Sequence, residues 1–317
     1  MTVQRPLCAG VDVITSGDSE ATPSAVTSSL AFMDDIWQLL ECTHAPVYFA
    51  PEAGPVYSAA GAGLKGFWMG YFASRSAALG AVPADVVTAA FYNFAPARVA
   101  RALPDAWDRC PPETVLAARL DVVDRCLRRL LGDLVDSPQI AAAADLARRA
   151  VGTLPPAGRV LFAAHAALPV PEPPHLALWW AATALREFRG DGHVAALVTA
   201  GVDGCEANVI TVALGLAPPE QRLNRGWTEA EWQAAEERLR GRGVLAQDGG
   251  ALTTEGRRER DALEATTDRL ARPVVDVLGP DGVARLADCL RPIARRIVEA
   301  GGVPFPNAMG LPPLGPR

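Results

Sequence analysis

The sequence has almost no lysine. Lysine and arginine together number 30, and Lys65 is the only lysine among them. Alanine, glycine and proline are abundant as well, which points to a GC-rich coding genome, so the arginine content does not by itself predict phosphate binding. The net charge of −6 disfavours non-specific attraction to nucleic acid or to anionic lipid.

Long apolar runs are also missing from the sequence. No uninterrupted stretch reaches the ~18 apolar residues that a membrane-spanning helix needs. The residues from Met1 to Ser19 include acids and lack the basic-then-apolar order of a signal peptide. We therefore expect a cytoplasmic protein without membrane contact, whose residues 1–24 are loosely ordered because they are rich in serine, threonine and glycine.

The motifs of common cofactor and metal sites do not occur. The sequence contains no GxxxxGKS, no GxGxxG after a strand, no HExxH and no GxSxG. Its six cysteines are scattered and include no CxxC pair. They are expected to be reduced thiols in the core rather than metal ligands or disulfides, so the sequence predicts no metal site and no cofactor.

Helical periodicity dominates the rest of the chain. In residues 112–132 apolar side chains recur on one helical face while the arginines lie largely elsewhere, and proline or glycine separates successive segments of this kind. The predicted fold class is all-α, mainly helical, with one small β-hairpin wing. We expect a helical bundle in residues 25–155, a winged-helix-like domain in 156–300 and a C-terminal tail in 301–317.

The wing is predicted at residues 244–253, where two short stretches flank an Asp-Gly-Gly turn. The helix before it, 228–241, begins with Thr228 and Glu231 at capping-box spacing. Another helix starts near Thr254. A helix, a short hairpin and a second helix in this order are the layout of a winged helix.

These residues resemble the second half of a MarR-type winged helix, in which an RL…RGxL pattern closes the recognition helix and LTxxG follows the wing. The chain has Arg238-Leu239, then 242–245 as Arg-Gly-Val-Leu, then 252–256 as Leu-Thr-Thr-Glu-Gly. More widely, the chain resembles an uncharacterised bacterial family of two-part helical proteins with a degenerate winged-helix half. The segments that carry this wider resemblance are 48–49, 66–72, 91–94, 186–193, 225–227 and 267–270.

Ionisable residues are concentrated in residues 186–193, Arg-Glu-Phe-Arg-Gly-Asp-Gly-His, with Asp203 and Glu206 shortly after. The sequence predicts a loop here, between helices 175–188 and 191–201. Burying several charges together is costly unless they are paired or used. The candidate catalytic acids and bases are Glu187, Asp191, His193 and Glu206, and Arg186 and Arg189 would bind an anionic group. The structural alternative is that Asp191 and Asp203 are helix N-caps.

Two further groups are candidates for substrate binding. Tyr71 and Arg75 share a helix face, and Tyr92 and Asn93 are polar residues in an otherwise apolar segment. The alternative for the aromatic residues is an ordinary core whose hydroxyl groups are satisfied locally.

His44 and Glu52 form the second group, because they could face each other across a short connection and make a base. The alternative is a histidine at a helix C-terminus beside a glutamate that the next helix dipole favours.

The predicted recognition helix is acidic, which argues against DNA binding. Residues 227–300 contain 14 acids and 12 arginines, a net charge of −2, and the wing tip reads Gln247-Asp248-Gly249-Gly250. A working winged helix presents arginine or lysine to phosphates at these places. A nucleic-acid partner is therefore not expected.

Three functional hypotheses remain open. The first is a cofactor-independent enzyme of specialised metabolism that acts on a small, polar, anionic metabolite. The family resemblance implies a specific reaction for it, in which an amine displaces an adjacent sulfate to form an aziridine. The second is a ligand-responsive, MarR-like regulator that binds DNA, and the third is a sequestering protein without catalysis. The sequence leaves open whether the chain forms a homodimer.

Overall fold

In the computed structural model, residues 35–59 and 63–315 are described, and within them the chain is helical without a β-sheet. The mainly all-α prediction is therefore confirmed. The helices are residues 35–44 (α1), Ala53–Ala59 (α2), Gly66–Ser76 (α3), Ala84–Phe91 (α4), Pro96–Ala100 (α5), Asp105–Arg109 (α6), Pro112–Leu131 (α7), Pro138–Val151 (α8), Val160–Ala166 (α9), Pro174–Thr199 (α10), Gly204–Ala213 (α11), Gln221–Arg225 (α12), Glu229–Gly241 (α13), Thr254–Ala271 (α14) and Pro273–Glu299 (α15).

Local sequence sets many of the helix starts. Helices α5, α7, α8, α10 and α15 each begin with proline in the first turn, where its missing N–H costs no hydrogen bond. The predicted capping box of Thr228 and Glu231 is present at the start of α13, and Asp203 caps α11 with Glu206 in the same arrangement. The predicted capping box of α13 and the predicted N-cap Asp203 are confirmed, and the contribution of Glu206 to the second box was not predicted.

Helix α10 is the centre of the main hydrophobic core. It packs against α7, α8, α9 and α14, and Ala181, Leu185 and Phe188 are completely buried. A second, smaller core joins α11 to α13 through Val209, Trp232 and other apolar residues between Cys205 and Leu252. The boundaries predicted at residues 155 and 156 remain a prediction, and residues 1–24 lie outside the described residues.

The prediction of a loop at residues 186–193 is wrong, because α10 continues through this stretch without a break. Gly190 and Gly192 favour a helix boundary in the sequence. A side chain at Gly192 would meet the Arg159 guanidinium at 2.9 Å and Leu270 Cβ at 3.2 Å. This glycine therefore permits the close approach of neighbouring elements, and packing outweighs its low helix propensity.

The predicted β-hairpin wing is not formed as two strands. The described residues contain a single antiparallel bridge there, between Leu245 and Leu252, supported by the Ala246 N–H donating to the Ala251 carbonyl oxygen at 2.9 Å. Thr253 then caps α14 directly, so too few residues remain for a ribbon. An isolated two-stranded hairpin is marginal in any case.

Membrane insertion has only weak support from the helices. Within residues 35–59 and 63–315 no single helix has the length and apolar character needed to cross a membrane, and α10 and α11 meet that test only as a pair bent by 101°.

Candidate functional site

A cavity of about 1050 Å³ lies between α1, α3, α10, α12, α14 and the segment 304–312. Its size is at the upper end of ordinary ligand pockets. The C-terminal segment packs as part of the wall: Asn307 is buried and accepts the Leu311 N–H at 3.1 Å, and Gln38 Nε2 donates to the Pro312 carbonyl oxygen at 3.0 Å.

The cavity brings together residues from two of the three predicted groups, although they are far apart in the sequence. Those that line it are Tyr71, Arg75, Asn93, Arg186, Glu187, Arg189 and His193. The remaining candidates do not line it, and they are His44, Glu52, Tyr92, Asp191 and Glu206.

A buried ion-pair network of Glu187 and two arginines forms one wall. Glu187 Oε1 and Oε2 accept from Arg75 Nε and Nη2, each at 3.0 Å, and Arg186 Nη1 donates to Oε2 at 3.0 Å. Arg186 also lies 3.4 Å from Glu41. Burial opposes ionisation of Glu187, but the charges of Arg186 and Arg75 outweigh it and hold the pKa of this carboxyl well below its usual range.

These contacts change the interpretation of Glu187. A carboxylate with a strongly lowered pKa is a weak base, and its oxygens are already occupied by guanidinium donors. Its role in this geometry is to neutralise and orient Arg75 and Arg186, instead of the catalytic role expected for it from the sequence.

His193 has a defined tautomer. Thr267 Oγ1 donates its one hydrogen to the Leu263 carbonyl oxygen at 3.0 Å, so it accepts the Nδ1–H of His193, also at 3.0 Å. Nε2 therefore carries the lone pair, and it contacts no hydrogen-bonding partner among the described residues. Burial is the main cause that lowers the pKa of His193, with the nearby charge of Arg189 acting in the same direction, while Glu264 opposes them.

Arg189 is held by carboxylates rather than free for a ligand. Its Nη2 lies 3.2 Å from Glu264 Oε2 and 3.0 Å from Asp268 Oδ1. Arg260 adds a second contact to Glu264 at 3.6 Å. Glu264 is thus shared by two guanidinium groups and stands 4.0 Å from His193 Nδ1.

His44 and Glu52 do not form the predicted dyad. His44 Nδ1 donates to Thr183 Oγ1 at 2.9 Å, because the Thr183 hydroxyl donates to the Trp179 carbonyl oxygen, and His44 Nε2 accepts the Tyr48 hydroxyl at 3.0 Å. Glu52 instead accepts from Arg129 Nε at 2.5 Å. His44 faces α10 inside the core while Glu52 faces α7 outside it, so tertiary packing separates the two.

Glu206 and Tyr92 both make contacts around the start of α11. Glu206 closes the α11 capping box and accepts from Arg238 Nε at 2.8 Å. The Tyr92 hydroxyl donates to the Val202 carbonyl oxygen at 2.6 Å. Gly204 lets these elements meet, since a Cβ there would lie 2.0 Å from the Tyr92 carbonyl oxygen. Both side chains are accounted for without a ligand.

Asp191 is a cap, but of a helix other than the one predicted. Its Oδ2 accepts the Phe162 N–H at 2.9 Å, in the first turn of α9, from its position inside α10. Burial raises the pKa of Asp191 to about 6, while the Phe162 N–H acts in the opposite direction. The predicted N-cap of a helix that begins after Asp191 is wrong, because α10 continues through this residue and its carboxylate contacts α9 instead.

Asp191→Asn is expected to gain stability relative to the wild type as the pH rises. The pKa of an ordinary aspartate is 3.8, whereas burial raises that of Asp191 in the folded protein to about 6. The folded state therefore binds more protons between these values, and wild-type stability falls from pH 4 to 6. Asparagine keeps an acceptor for Phe162 without that penalty. The difference in the free energy of unfolding between Asp191→Asn and the wild type should grow by about 3 kcal/mol over this range, measured by urea denaturation at several pH values.

Asp145→Asn, at an exposed carboxylate, is the control for this prediction. A difference between Asp191→Asn and the wild type that does not depend on pH would contradict the buried-charge explanation.

Several cavity residues were not among the predicted site residues: Tyr48, Trp68, Phe94, Arg225 and Glu264. All but Glu264 stand in the segments 48–49, 66–72, 91–94 and 225–227, which carry the family resemblance. That coincidence was a signal available in the sequence. No such signal exists in the sequence for Glu264, because it is one of many acidic residues in a helix whose sequence predicts solvent exposure.

The described residues do not provide a ready metal site: no group of three or more histidine, cysteine, aspartate or glutamate side chains among them could hold an ion. A ligand in this cavity would be held by arginine, asparagine, histidine and aromatic side chains.

The comparisons with known proteins agree with the helical architecture. The profile of a helix-turn-helix family matches residues 33–304. Since the match covers most of the chain, the protein belongs to this helix-turn-helix family. No curated protein and no solved structure matches the chain significantly.

The arginines at the end of α13, the predicted recognition helix, are engaged within the protein. Arg238 contacts Asp203 and Glu206, Arg240 lies 2.9 Å from Glu236, and Arg242 lies 3.4 Å from Glu206. Contacts to DNA phosphates would have to compete with these carboxylates.

Proposed function

We propose that this protein is an enzyme that converts a small molecule in the cavity, with His193 Nε2 as the general base. The observation that carries the proposal is the hydrogen-bonded tautomer of His193, which leaves an unshared lone pair on a residue of the cavity wall. No cofactor is required for a proton abstraction of this kind.

The surroundings of His193 suit a base at neutral pH. Its lowered pKa keeps the imidazole unprotonated before the reaction. Glu264, 4.0 Å from Nδ1, would stabilise the imidazolium that forms when Nε2 takes a proton. Thr267 holds the ring in place through Nδ1. A positioned base contributes about 10²–10⁴ to a rate.

The family resemblance offers one specific reaction, the closure of an aziridine ring. The amine nitrogen attacks the neighbouring carbon, the C–N bond forms, the C–O bond breaks, and sulfate leaves with the electron pair while His193 takes the proton from nitrogen. This version rests on the resemblance alone, since the helix-turn-helix family match carries no reaction.

Metabolite profiling tests the enzyme proposal. The purified full chain is incubated with a small-molecule extract of the source cells, and mass spectrometry records which masses fall and which rise. We expect at least one substrate–product pair with the wild type and none with His193→Gln. Conversion at equal rates by both proteins would refute the role of His193, and the absence of any conversion would refute the enzyme.

A DNA-binding regulator is the second candidate function, because the family match favours it. The paired arginines of α13 and the acidic balance of residues 227–300 weigh against it. A gel-shift titration with genomic DNA fragments at about 50 and 200 mM salt separates the two. We expect no specific complex, whereas tight binding that weakens steeply with salt would support the regulator.

A further inference from the structure

We infer that the cavity contains an anion-binding subsite at Arg225, which takes a carboxylate, sulfate, sulfonate or phosphate group attached to a flat, apolar body. The inference rests on the proposed function only in that both concern the same cavity. His193 would act on the ligand, while Arg225 would hold it.

Arg225 differs from the other arginines of the cavity wall in its partners. Arg75, Arg186, Arg189 and Arg260 each contact a carboxylate. Within the described part of the chain, Arg225 contacts none. Its Nη2 donates to the Ala308 carbonyl oxygen, and its Nε is buried without a hydrogen-bond partner.

The local charge favours an anion. Arg75, Arg186 and Arg225 line the same cavity, and the carboxylates that neutralise this group in the described residues are Glu187 and Glu41, which leaves one positive charge. Burial is the main cause that lowers the pKa of Arg225; Tyr71 opposes it, and the neighbouring positive charges of Arg75 and Arg186 act in the same direction as burial. The Arg225 side chain is half-buried and its Nε is buried without a partner. A guanidinium without a counterion in such a place is costly, and a bound anion would lower that cost.

Aromatic and amide groups beside Arg225 define the rest of the ligand. The guanidinium lies 4.5 Å from the centre of the Phe94 ring, and Trp68, Tyr71 and Phe91 continue the aromatic wall. The Ala95 N–H donates to the Arg225 carbonyl oxygen at 3.0 Å, which fixes this part of the chain next to Arg225. Asn93, which comes directly before Phe94 in the sequence, also lines the cavity. Its Oδ1 is buried without a partner, so it can accept a hydrogen bond from the ligand.

Two fluorescent probes with the same aromatic body test the subsite. The probe 8-anilinonaphthalene-1-sulfonate carries a sulfonate, and N-phenyl-1-naphthylamine lacks it. We expect the full-length wild type to bind the sulfonate probe more tightly than the neutral one. Arg225→Met should weaken the binding of the sulfonate probe by about 10- to 100-fold, which is the effect of losing a charge-assisted hydrogen bond. The affinity for the neutral probe should stay unchanged.

Matched variants make the result decisive. Arg222→Met removes another arginine of α12, one that pairs with Glu229 at 3.0 Å outside the cavity wall, and should change neither probe. Arg225→Lys should retain most of the sulfonate preference, and Arg225→Gln should lose it. Circular dichroism and the neutral probe report whether each variant keeps its fold and its cavity.

The outcomes separate this inference from the proposed function. Equal affinity of the wild type for both probes, or unchanged sulfonate binding in Arg225→Met and Arg225→Gln, would overturn the subsite even if His193 proves to be the base. Conversely, the two probes report binding without turnover, so a failure of the catalytic proposal leaves the binding test intact.

Discussion

Glu187→Gln is expected to lower the free energy of unfolding by about 3–5 kcal/mol, because it leaves the buried Arg75 guanidinium without its bidentate partner. Glu187 is 1% exposed and Arg75 is 7% exposed, so little water is in contact with the pair to replace the lost carboxylate. Urea denaturation with linear extrapolation measures the change.

A double variant separates two causes of destabilisation, which are the lost attraction between Glu187 and Arg75 and the cost of leaving the Arg75 charge unpaired. Arg75→Met with Glu187→Leu removes both ionised groups, and its stability should lie closer to the wild type than that of Glu187→Gln. Asp121→Asn breaks an exposed pair with Arg125 and should change stability by less than about 1 kcal/mol. A Glu187→Gln protein of wild-type stability that has lost turnover would instead support Glu187 as a catalytic base.

His193→Gln is expected to lower kcat/KM by about 10²–10⁴ for the substrate found by profiling, with little change in stability. The neutral imidazole is the active form, and its pKa lies below the ordinary 6.5. The rate should therefore stay level around neutral pH and fall as the pH drops through that lowered pKa. The pH profile of kcat/KM measures it.

Thr267→Val distinguishes the base from a merely packed histidine. Valine has a similar shape but cannot accept the Nδ1–H, so the ring loses the hydrogen bond that fixes its tautomer. We expect a smaller loss of kcat than in His193→Gln and a shifted acid limb in the pH profile. An unchanged profile would show that Thr267 does not position the ring.

The candidate site was partly predictable because its residue types are unusual for a core. Arg75, Glu187 and His193 stand out in the sequence as ionisable groups in apolar surroundings, and all three line the cavity. The pairing of Arg75 with Glu187 could not be predicted, because 112 positions separate them and no local pattern encodes the contact. The role expected for Glu187 changed for that reason.

Some assignments depended on interactions within three or four residues, and these were determined by the sequence alone. The capping box of Thr228 with Glu231 and the N-cap Asp203 formed as expected, since such bonds need only adjacent turns. The side chain of Glu206, expected to be catalytic, completes a second capping box with Asp203 instead. The helical class of the chain follows in the same way from periodicity and from proline at helix starts.

Only the tertiary structure decided the rest. It continued α10 through Gly190 and Gly192, assigned Asp191 to a neighbouring helix, fixed the tautomer of His193 and left Arg225 without a carboxylate among the described residues. The physical reason is common to all four: burial and partners across helices set the energy of a charge or of a helix break, and the chain acquires those partners only when its helices pack.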